Sequence, residues 1–221
     1  MPVIGTIDIP AALAVLEKRP SRAGTAPKLR HAAVTMIRAG ALAQPAFSFR
    51  IVPVHTSSAA DFAFGESRLR VPALADVAAN VSAVASVVCT LGRSLEARVS
   101  ALCVERKLSL ALALDEVGNE LLLNSVRQAL LQIRREARRQ CLSSGNSFSP
   151  GCSGFSLDQQ TGVVVLAGGD RLGISVTSHG MLTPVKSRSL IVPIGAGLSA
   201  QPLHRRCDDC SSRKQCRYQG L

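Results

Sequence analysis

Three cysteines have the most distinctive chemistry in this sequence. Cys207, Cys210 and Cys216 fall within ten residues of one another. A Cys-x2-Cys turn places two sulfur atoms on the same side of a tight loop, close enough to share one metal ion, and thiolates suit zinc and iron–sulfur clusters. The spacing therefore predicts a metal or cluster site in the segment 201–221, and it leaves the choice between zinc and iron–sulfur open.

A tetrahedral zinc site needs a fourth ligand, whereas an iron–sulfur cluster with one open iron can be held by three cysteines. His204 is the favoured fourth ligand because of its spacing from Cys207, and Cys152 and Cys141 are the other candidates. Two aspartates between the first two cysteines of the cluster place negative charge beside the thiolates. That charge disfavours a third interpretation, a redox-active dithiol.

A glycine- and serine-rich segment of about fifteen residues, 142–156, is a second candidate site. Its centre is Ser149-Pro150-Gly151-Cys152, in which Pro150 fixes the backbone and Gly151 permits close approach to a ligand. Such a loop can present backbone N–H groups to a carboxylate or a phosphate, and loops of this length are uncommon in compact domains unless they bind something. A purely structural turn is the competing interpretation.

A polar stretch between two apolar runs is a third candidate. Within it Lys186 could hold an anion and His179 could titrate near neutral pH. Met181, considered by itself, is expected to pack in the core more often than to bind a ligand, and it stays among the candidates because of its place in the stretch. The candidate residues of this stretch are Thr177, Met181, Pro184, Lys186 and Ser187.

The composition supports one globular domain of 221 residues, because 47% of the residues are hydrophobic. The net charge of +11 is typical of proteins that bind a polyanion, although a solvated basic face is the commoner interpretation. With one Tyr, six Phe and no Trp there is no aromatic platform for stacked bases, so an acidic protein is favoured over nucleic acid. The densest basic run, 134–139, closes a predicted helix, where cations meet the negative end of the helix dipole.

No apolar run reaches the roughly 18–20 residues that span a bilayer, so no membrane association is expected. The first nineteen residues lack the basic start and the cleavage site of a secretory signal. Seven cysteines, three of them clustered, do not form the pattern of a secreted disulfide scaffold. A cytoplasmic location is therefore predicted.

The periodicity of apolar residues predicts an α+β fold, because helices and antiparallel strands do not alternate regularly. We predict helices at 27–43, 94–103 (with Ser94 as N-cap) and 109–139, a weak helix from Pro72, and strands at 45–55, 67–71, 81–92, 172–177 and 189–194. The longest helix has one apolar stripe, so its acidic residues Asp115, Glu116 and Glu120 are interpreted as surface charge.

Taken together, these segments resemble the activation domain of cobalamin-dependent methionine synthase. The resemblance rests on SPGCSGFSLDQQ at 149–160, on LGISVTSHGMLTPVKSRS at 172–189 and on the terminal cysteine cluster followed by Arg217-Tyr218. The upstream run 87–122 is similar to that family's strand, Thr-Leu-Gly turn and paired helices. The resemblance covers about residues 80–218, and residues 1–80 match only in general layout.

The resemblance implies a twisted antiparallel sheet packed with helices, followed by the cysteine-rich tail. The implied organisation is 1–80 as the N-terminal helix and strand portion of the domain, 81–200 as the activation-domain-like core and 201–221 as the metal or cluster tail. In that family the domain binds S-adenosylmethionine and presents its methyl group to inactive cob(II)alamin, while an external electron completes a reductive methylation.

A corrinoid reactivation factor acting in trans is therefore implied, as an accessory component of a cobalamin-dependent methyltransferase system. The cobalamin would be carried by a corrinoid partner, an electron donor would be a second partner, and S-adenosylmethionine is a candidate ligand. The loop residues Pro150, Gly151 and Cys152 would line the cleft, together with the candidates of the 177–187 stretch.

Three positions depart from the family's pattern. Its Pro-Gly-Tyr is Pro150-Gly151-Cys152 here, its arginine four positions before that glycine is Ser147, and its Thr-Glu-Ser is Thr177-Ser178-His179. These changes keep an alternative open: a non-catalytic interaction module, stabilised by zinc or an iron–sulfur cluster, that binds an acidic protein partner.

Anaerobic purification of the full chain is expected to give either stoichiometric zinc or the visible absorption bands of an iron–sulfur centre, because clustered thiolates bind these metals tightly. Cys207→Ser should lower the metal content per chain, whereas Cys103→Ser changes a cysteine outside the cluster and should not. Elemental analysis and an absorption spectrum measure both, and a wild-type chain free of both metals would contradict the prediction.

Overall fold

A computed structural model of the chain describes residues 1–17, 25–56, 61–64, 67–152 and 154–199. It is an α+β structure, as predicted. The helices are α1 (Ile9–Glu17), α2 (Pro27–Gly40), α3 (Ser94–Val104), α4 (Leu108–Arg139) and α5 (Gln160–Ala167). The strands are β1 (Val3–Thr6), β2 (Ala46–Pro53), β3 (His55–Thr56), β4 (Asp61–Phe64), β5 (Ser67–Arg70), β6 (Val81–Thr90), β7 (Ser143–Ser144), β8 (Ser175–Val176), β9 (Leu182–Thr183) and β10 (Ser187–Gly195).

The main sheet has the strand order β1-β2-β6-β10-β7, and all of its neighbouring pairs are antiparallel. Strands from before residue 81 and from after it therefore share one sheet. Two smaller antiparallel sheets, β3-β4-β5 and β8-β9, lie apart from it. A 3-10 helix over Pro72–Asn80, where a weak helix was predicted, leads directly into β6.

The central strand β6 is covered on both faces, which explains its nearly continuous apolar sequence. Ala85, Val87 and Cys89 pack on the side of α4, whereas Val84 and Val88 pack on the side of α5. This alternation is the two-residue period of a strand. Burial raises the pKa of the Cys89 thiol to about 12, so this cysteine stays protonated at physiological pH.

Buried serine hydroxyls attach α5 to the sheet. Ser48 and Ser86 donate to backbone carbonyls of α5 at 2.6 and 2.8 Å, and Ser189 donates to the side-chain oxygen of Gln160 at 3.0 Å. Each hydroxyl therefore faces the helix with its hydrogen-bonding capacity used, as buried polar groups require. The valine-rich sequence of α5 received no assignment in the sequence analysis.

The apolar stripe predicted for the longest helix is confirmed, and it packs against two different layers. Leu114, Val117 and Leu121 pack against α1, α2 and α3, whereas Leu130 and Ile133 pack on the sheet. Within the described ranges no helix, α4 included, is long and apolar enough to cross a membrane.

Two of the acidic residues of α4 are buried, so their interpretation as surface charge is wrong. Helix α2 covers this side of α4 and brings the Arg30 guanidinium to Glu120, with Nη1 and Nη2 each 2.8 Å from a carboxylate oxygen. Nη2 also donates to the carbonyl of Leu16 at 2.9 Å, and Glu116 lies 3.8 Å from Nη1. The hydrogen bond to Glu120 outweighs burial and raises the pKa of Arg30.

Three local predictions need correction. Ser94 is the first residue of α3 rather than its N-cap: Arg93 takes that position, with no side-chain capping bond. The predicted strand 172–177 shrinks to Ser175–Val176, because a 3-10 turn occupies 169–172. The predicted loop 142–156 contains the edge strand β7.

Replacing Arg30 by Met should lower the free energy of unfolding by about 3–5 kcal/mol, because Glu116 and Glu120 would stay buried without their cation. In the same helix Arg38→Met removes an exposed pair with Glu17 and should change the free energy of unfolding by less than about 1 kcal/mol. Urea denaturation at pH 7 measures both. Similar small effects in the two variants would show that the buried cluster does not stabilise the fold.

Candidate ligand-binding cleft

The polar stretch after α5 forms a tight hairpin that is closed by its own Thr177. The Thr177 N–H donates to the carbonyl of Met181 at 2.8 Å, and the Thr177 hydroxyl accepts from the Met181 N–H at 3.1 Å. Gly180 supplies a positive φ of 76° in this turn, a conformation that glycine adopts without a steric penalty. Thr177 therefore determines the shape of the hairpin.

The segment that follows the hairpin is fastened to α3 and α4. The buried Lys186 ammonium lies 2.6 Å from a carboxylate oxygen of Asp115 and 2.6 Å from the side-chain oxygen of Asn119. The backbone N–H of Val185 donates to Glu96 at 2.6 Å. Lys186 thus points towards α4, and its ammonium already has two oxygen partners.

A cleft of about 480 Å³ lies between the 149–150 loop, the hairpin and the first residues of β10. It brings together three of the predicted site residues, Pro150, Met181 and Ser187, whereas Thr177, Pro184 and Lys186 do not line it. Its other lining residues are Ser149, Gln160, Gly180, Leu182, Val185, Arg188 and Ser189. The surface is largely apolar, with Arg188 as its cation.

Met181 is 61% exposed at the cleft, so the expectation that it packs in the core is wrong. The physical reason is the hairpin, which holds Met181 at a turn with its backbone bonded to Thr177 and its side chain directed outward. An apolar side chain in a turn of this kind is available to a ligand or to a partner.

Gly151 and Cys152 line a neighbouring cavity of about 620 Å³ instead. Leu157 lies between the two spaces: a Cβ added to Gly151 would be 3.5 Å from its side chain, and one added to Gly180 would be 3.0 Å away. The predicted ligand residues are thus divided by Leu157 into two adjacent groups.

The neighbouring cavity contains charged residues that the sequence analysis missed. Asp158 and Arg70 both line it, and a hydrogen bond from Ser156 lowers the pKa of the Asp158 carboxyl. The backbone N–H of Arg70 donates to the side-chain oxygen of Gln159 at 3.1 Å, and this bond connects β5 to the cavity wall. Asp158 lies two residues after the predicted loop and could have been found from that position, whereas Arg70 is distant in sequence and gave no signal.

The predicted metal ligands Cys207, Cys210, Cys216 and His204 lie outside the described residues. Inside the described ranges no three His, Cys, Asp or Glu side chains come together as a metal site. The two other candidates for the fourth ligand, Cys141 and Cys152, are exposed free thiols.

Comparison with known proteins shows what the fold is similar to. No family model and no curated protein matches the sequence. Among solved structures, the crystal structure of the MetH reactivation domain bound to AdoHcy matches 97% of this chain and 85% of that one, with a TM-score of 0.69 and 11% sequence identity. The chain has the fold of a methionine synthase activation domain, which confirms the fold predicted from the sequence.

Lys186→Met should lower the free energy of unfolding by about 1–3 kcal/mol, because it removes hydrogen bonds to a carboxylate and an amide. The exposed Lys107→Met should have an effect within about 0.5 kcal/mol. A Lys186→Met/Asp115→Asn double variant should be less destabilised than the sum of the single changes, because both break one contact. Strictly additive effects in denaturant unfolding would show that this contact does not fasten the loop.

Proposed function

We propose that this chain is a corrinoid reactivation factor. It binds an S-adenosyl ligand in the cleft beside β10 and supports reductive methylation of cob(II)alamin on a partner protein. The observation that supports this most is the fold, which corresponds over 97% of the chain to a reactivation domain bound to AdoHcy. The cleft formed by three predicted site residues is the second support.

The cleft fits an S-adenosyl ligand in size and polarity. Its volume of about 480 Å³ is in the range of small-molecule sites. Leu182 and Met181 offer apolar surface to a purine ring or a thioether. Arg188 pairs in register with Cys89 and so starts on the α4 side of β10; from there it reaches the cleft over the edge of the strand and offers a charge-assisted hydrogen bond to the ligand's carboxylate. None of the lining residues is acidic, so nothing in the cleft wall competes for Arg188.

In this proposal the cobalamin belongs to a corrinoid protein or a cobalamin-dependent methyltransferase, and a separate donor supplies one electron. The methyl group moves from the sulfonium of S-adenosylmethionine to cobalt, and the electron reduces cob(II)alamin, so that AdoHcy and methylcobalamin are the products. Val185 and Met181, 70% and 61% exposed at the cleft, give a docking partner apolar contacts. The net charge of +11 favours an acidic partner surface.

The predicted site residues then have different roles. Pro150, Met181 and Ser187 contact the ligand, and Gly151 and Cys152 line the space beyond Leu157 that a larger ligand or a partner loop could enter. The residues that position the cleft rather than touch the ligand are Thr177, Pro184 and Lys186.

The cysteine cluster has a separate place in the proposal. Cys207, Cys210 and Cys216, with His204 as the fourth ligand where zinc is bound, hold a metal ion or an iron–sulfur cluster. An iron–sulfur cluster would supply the electron path that reductive methylation needs, whereas zinc would stabilise the tail. The metal content of the full chain decides between these two roles.

A second candidate function is a non-catalytic interaction module for an acidic protein partner, stabilised by zinc or an iron–sulfur cluster. It is favoured by the Lys186 ammonium, which is bonded to Asp115 and Asn119 rather than available to a ligand. Cys152 in place of the family's tyrosine also favours it.

AdoHcy should bind the full chain saturably in isothermal titration calorimetry. Arg188→Gln should weaken the binding about tenfold or more, because a charge-assisted hydrogen bond to a carboxylate contributes about 1.5–3 kcal/mol. Arg38→Gln, a change of the same charge on α2, should leave the affinity unchanged.

The second measurement follows methylcobalamin formation by absorption, with a corrinoid protein in the cob(II)alamin state, S-adenosylmethionine and a reductant. Reactivation that depends on this chain and falls in Arg188→Gln supports the proposal. A chain that binds neither AdoHcy nor any corrinoid protein would refute it. Binding of an acidic protein without AdoHcy binding would favour the interaction module.

A further inference from the structure

A small polar pocket lies at the other end of β10 from the cleft. Its volume is about 250 Å³, and it forms where α4 ends and the edge strand β7 begins. The lining residues are Arg134, Arg138, Leu142, Ser143, Ser144 and Leu198. Five residue steps of β10 separate Ser189 at the near edge of the cleft from Ile194 beside Ser144, which is about 16 Å along an extended strand.

The charge at this pocket is strongly positive. Arg134 and Arg138 are one helical turn apart, so their side chains start on the same face of α4. Arg139 is paired with Glu136 at 2.8 Å, whereas Arg134 and Arg138 form no ion pair within the part of the chain that the structure describes. Four arginines and one glutamate between 134 and 139 give a net charge of +3 (4 − 1).

The carbonyl groups at the end of α4 have other hydrogen-bond partners than these arginine side chains. The last carbonyls of a helix are negative and could attract the arginines. Here the carbonyl of Ala137 accepts from the N–H groups of Gln140 and Leu142, and that of Arg138 accepts from Cys141, at 3.0 Å each. These two carbonyls are therefore satisfied by backbone N–H groups rather than by the arginines, and the guanidinium groups remain available to a ligand.

The opposite wall adds neutral donors. Ser143 and Ser144 are half-buried, and their hydroxyls have no side-chain hydrogen bond to another described residue. They belong to β7, an edge strand that pairs only with β10 in the main sheet, so part of its backbone faces away from the sheet. Two guanidinium groups opposite two hydroxyls suit a tetrahedral oxyanion, which accepts hydrogen bonds in several directions.

We propose that the pocket formed by Arg134, Arg138, Ser143 and Ser144 binds a phosphate group. Its volume admits one phosphate and is small for an adenosyl ligand. Because it shares no lining residue with the cleft and about 16 Å of strand separates the two, it is a second site, and phosphate bound there does not compete with a ligand beside β10. The phosphate comes either as free inorganic phosphate or as the phosphate group of a nucleotide whose nucleoside lies outside the pocket.

The test is a titration of the full chain with inorganic phosphate and, separately, with AMP, followed by NMR or calorimetry at constant ionic strength. Wild-type protein should saturate. The double variant Arg134→Gln/Arg138→Gln should bind at least about tenfold more weakly, because it lacks both charge-assisted contacts. Arg135→Gln, on the same helix but outside the pocket, should change the affinity less than about twofold.

Thermal melting provides a second readout, since a ligand that binds the folded state raises the melting temperature. Phosphate should raise it in wild-type protein and in Arg135→Gln, and not in the double variant. A response that never saturates, or an equal loss in Arg135→Gln, would overturn the proposal and indicate general screening of basic charge.

Tighter binding of AMP than of inorganic phosphate, lost in the double variant, would identify a nucleotide as the source, and the reverse order would identify the free ion. AdoHcy affinity should be the same in the double variant and wild type.

Discussion

The packing of α4 against two layers at once is the constraint on which the rest of the structure depends. At 1.5 Å per residue its 32 residues span about 48 Å, longer than any other described element. Its first half is held by three helices and its second half by the sheet. Asp115 and Asn119 on the first half hold Lys186 and so the cleft, and Arg134 and Arg138 on the last turns form the phosphate pocket. One rigid helix therefore determines the position of both sites.

The buried charges determine how α2 lies on α4. Removing Arg30 and Glu120 from water is costly, and only good geometry offsets that cost. The two parallel bonds of 2.8 Å provide it, and the Leu16 carbonyl adds a contact to α1. A shift of α2 by one turn would break all of these bonds and leave carboxylates buried without a cation. Apolar packing alone tolerates such shifts more easily, so the cluster specifies one arrangement of the three helices.

The sequence predicted the elements whose signal is local. Strands β2, β6 and β10 and helix α4 follow from alternation or helical period within their own residues. The predictions that failed concern side chains whose partners are distant in the sequence. Glu120 resembles any solvated glutamate until Arg30, ninety residues earlier, is placed against it. Lys186 resembles an anion-binding lysine until α4 supplies Asp115. The valines of α5 suit a strand equally well, and it is the serines of the sheet facing α5 that fix its place.

The residues around the cleft bear on one of the departures from the family's pattern. The position at which the family has an arginine is Ser147 here, in the segment before the loop, and the cation beside the cleft is Arg188 on β10. Strand β10 lies beside the central strand β6 over its whole length, so Arg188 starts from a more rigid backbone than a loop residue would. Lys186, the residue before β10, is bonded to α4, and this contact further limits movement of the strand's first residues. In the proposed function a positive charge on this strand replaces one before the loop, without change to the fold, and Arg188 approaches the ligand's carboxylate from the edge of the sheet.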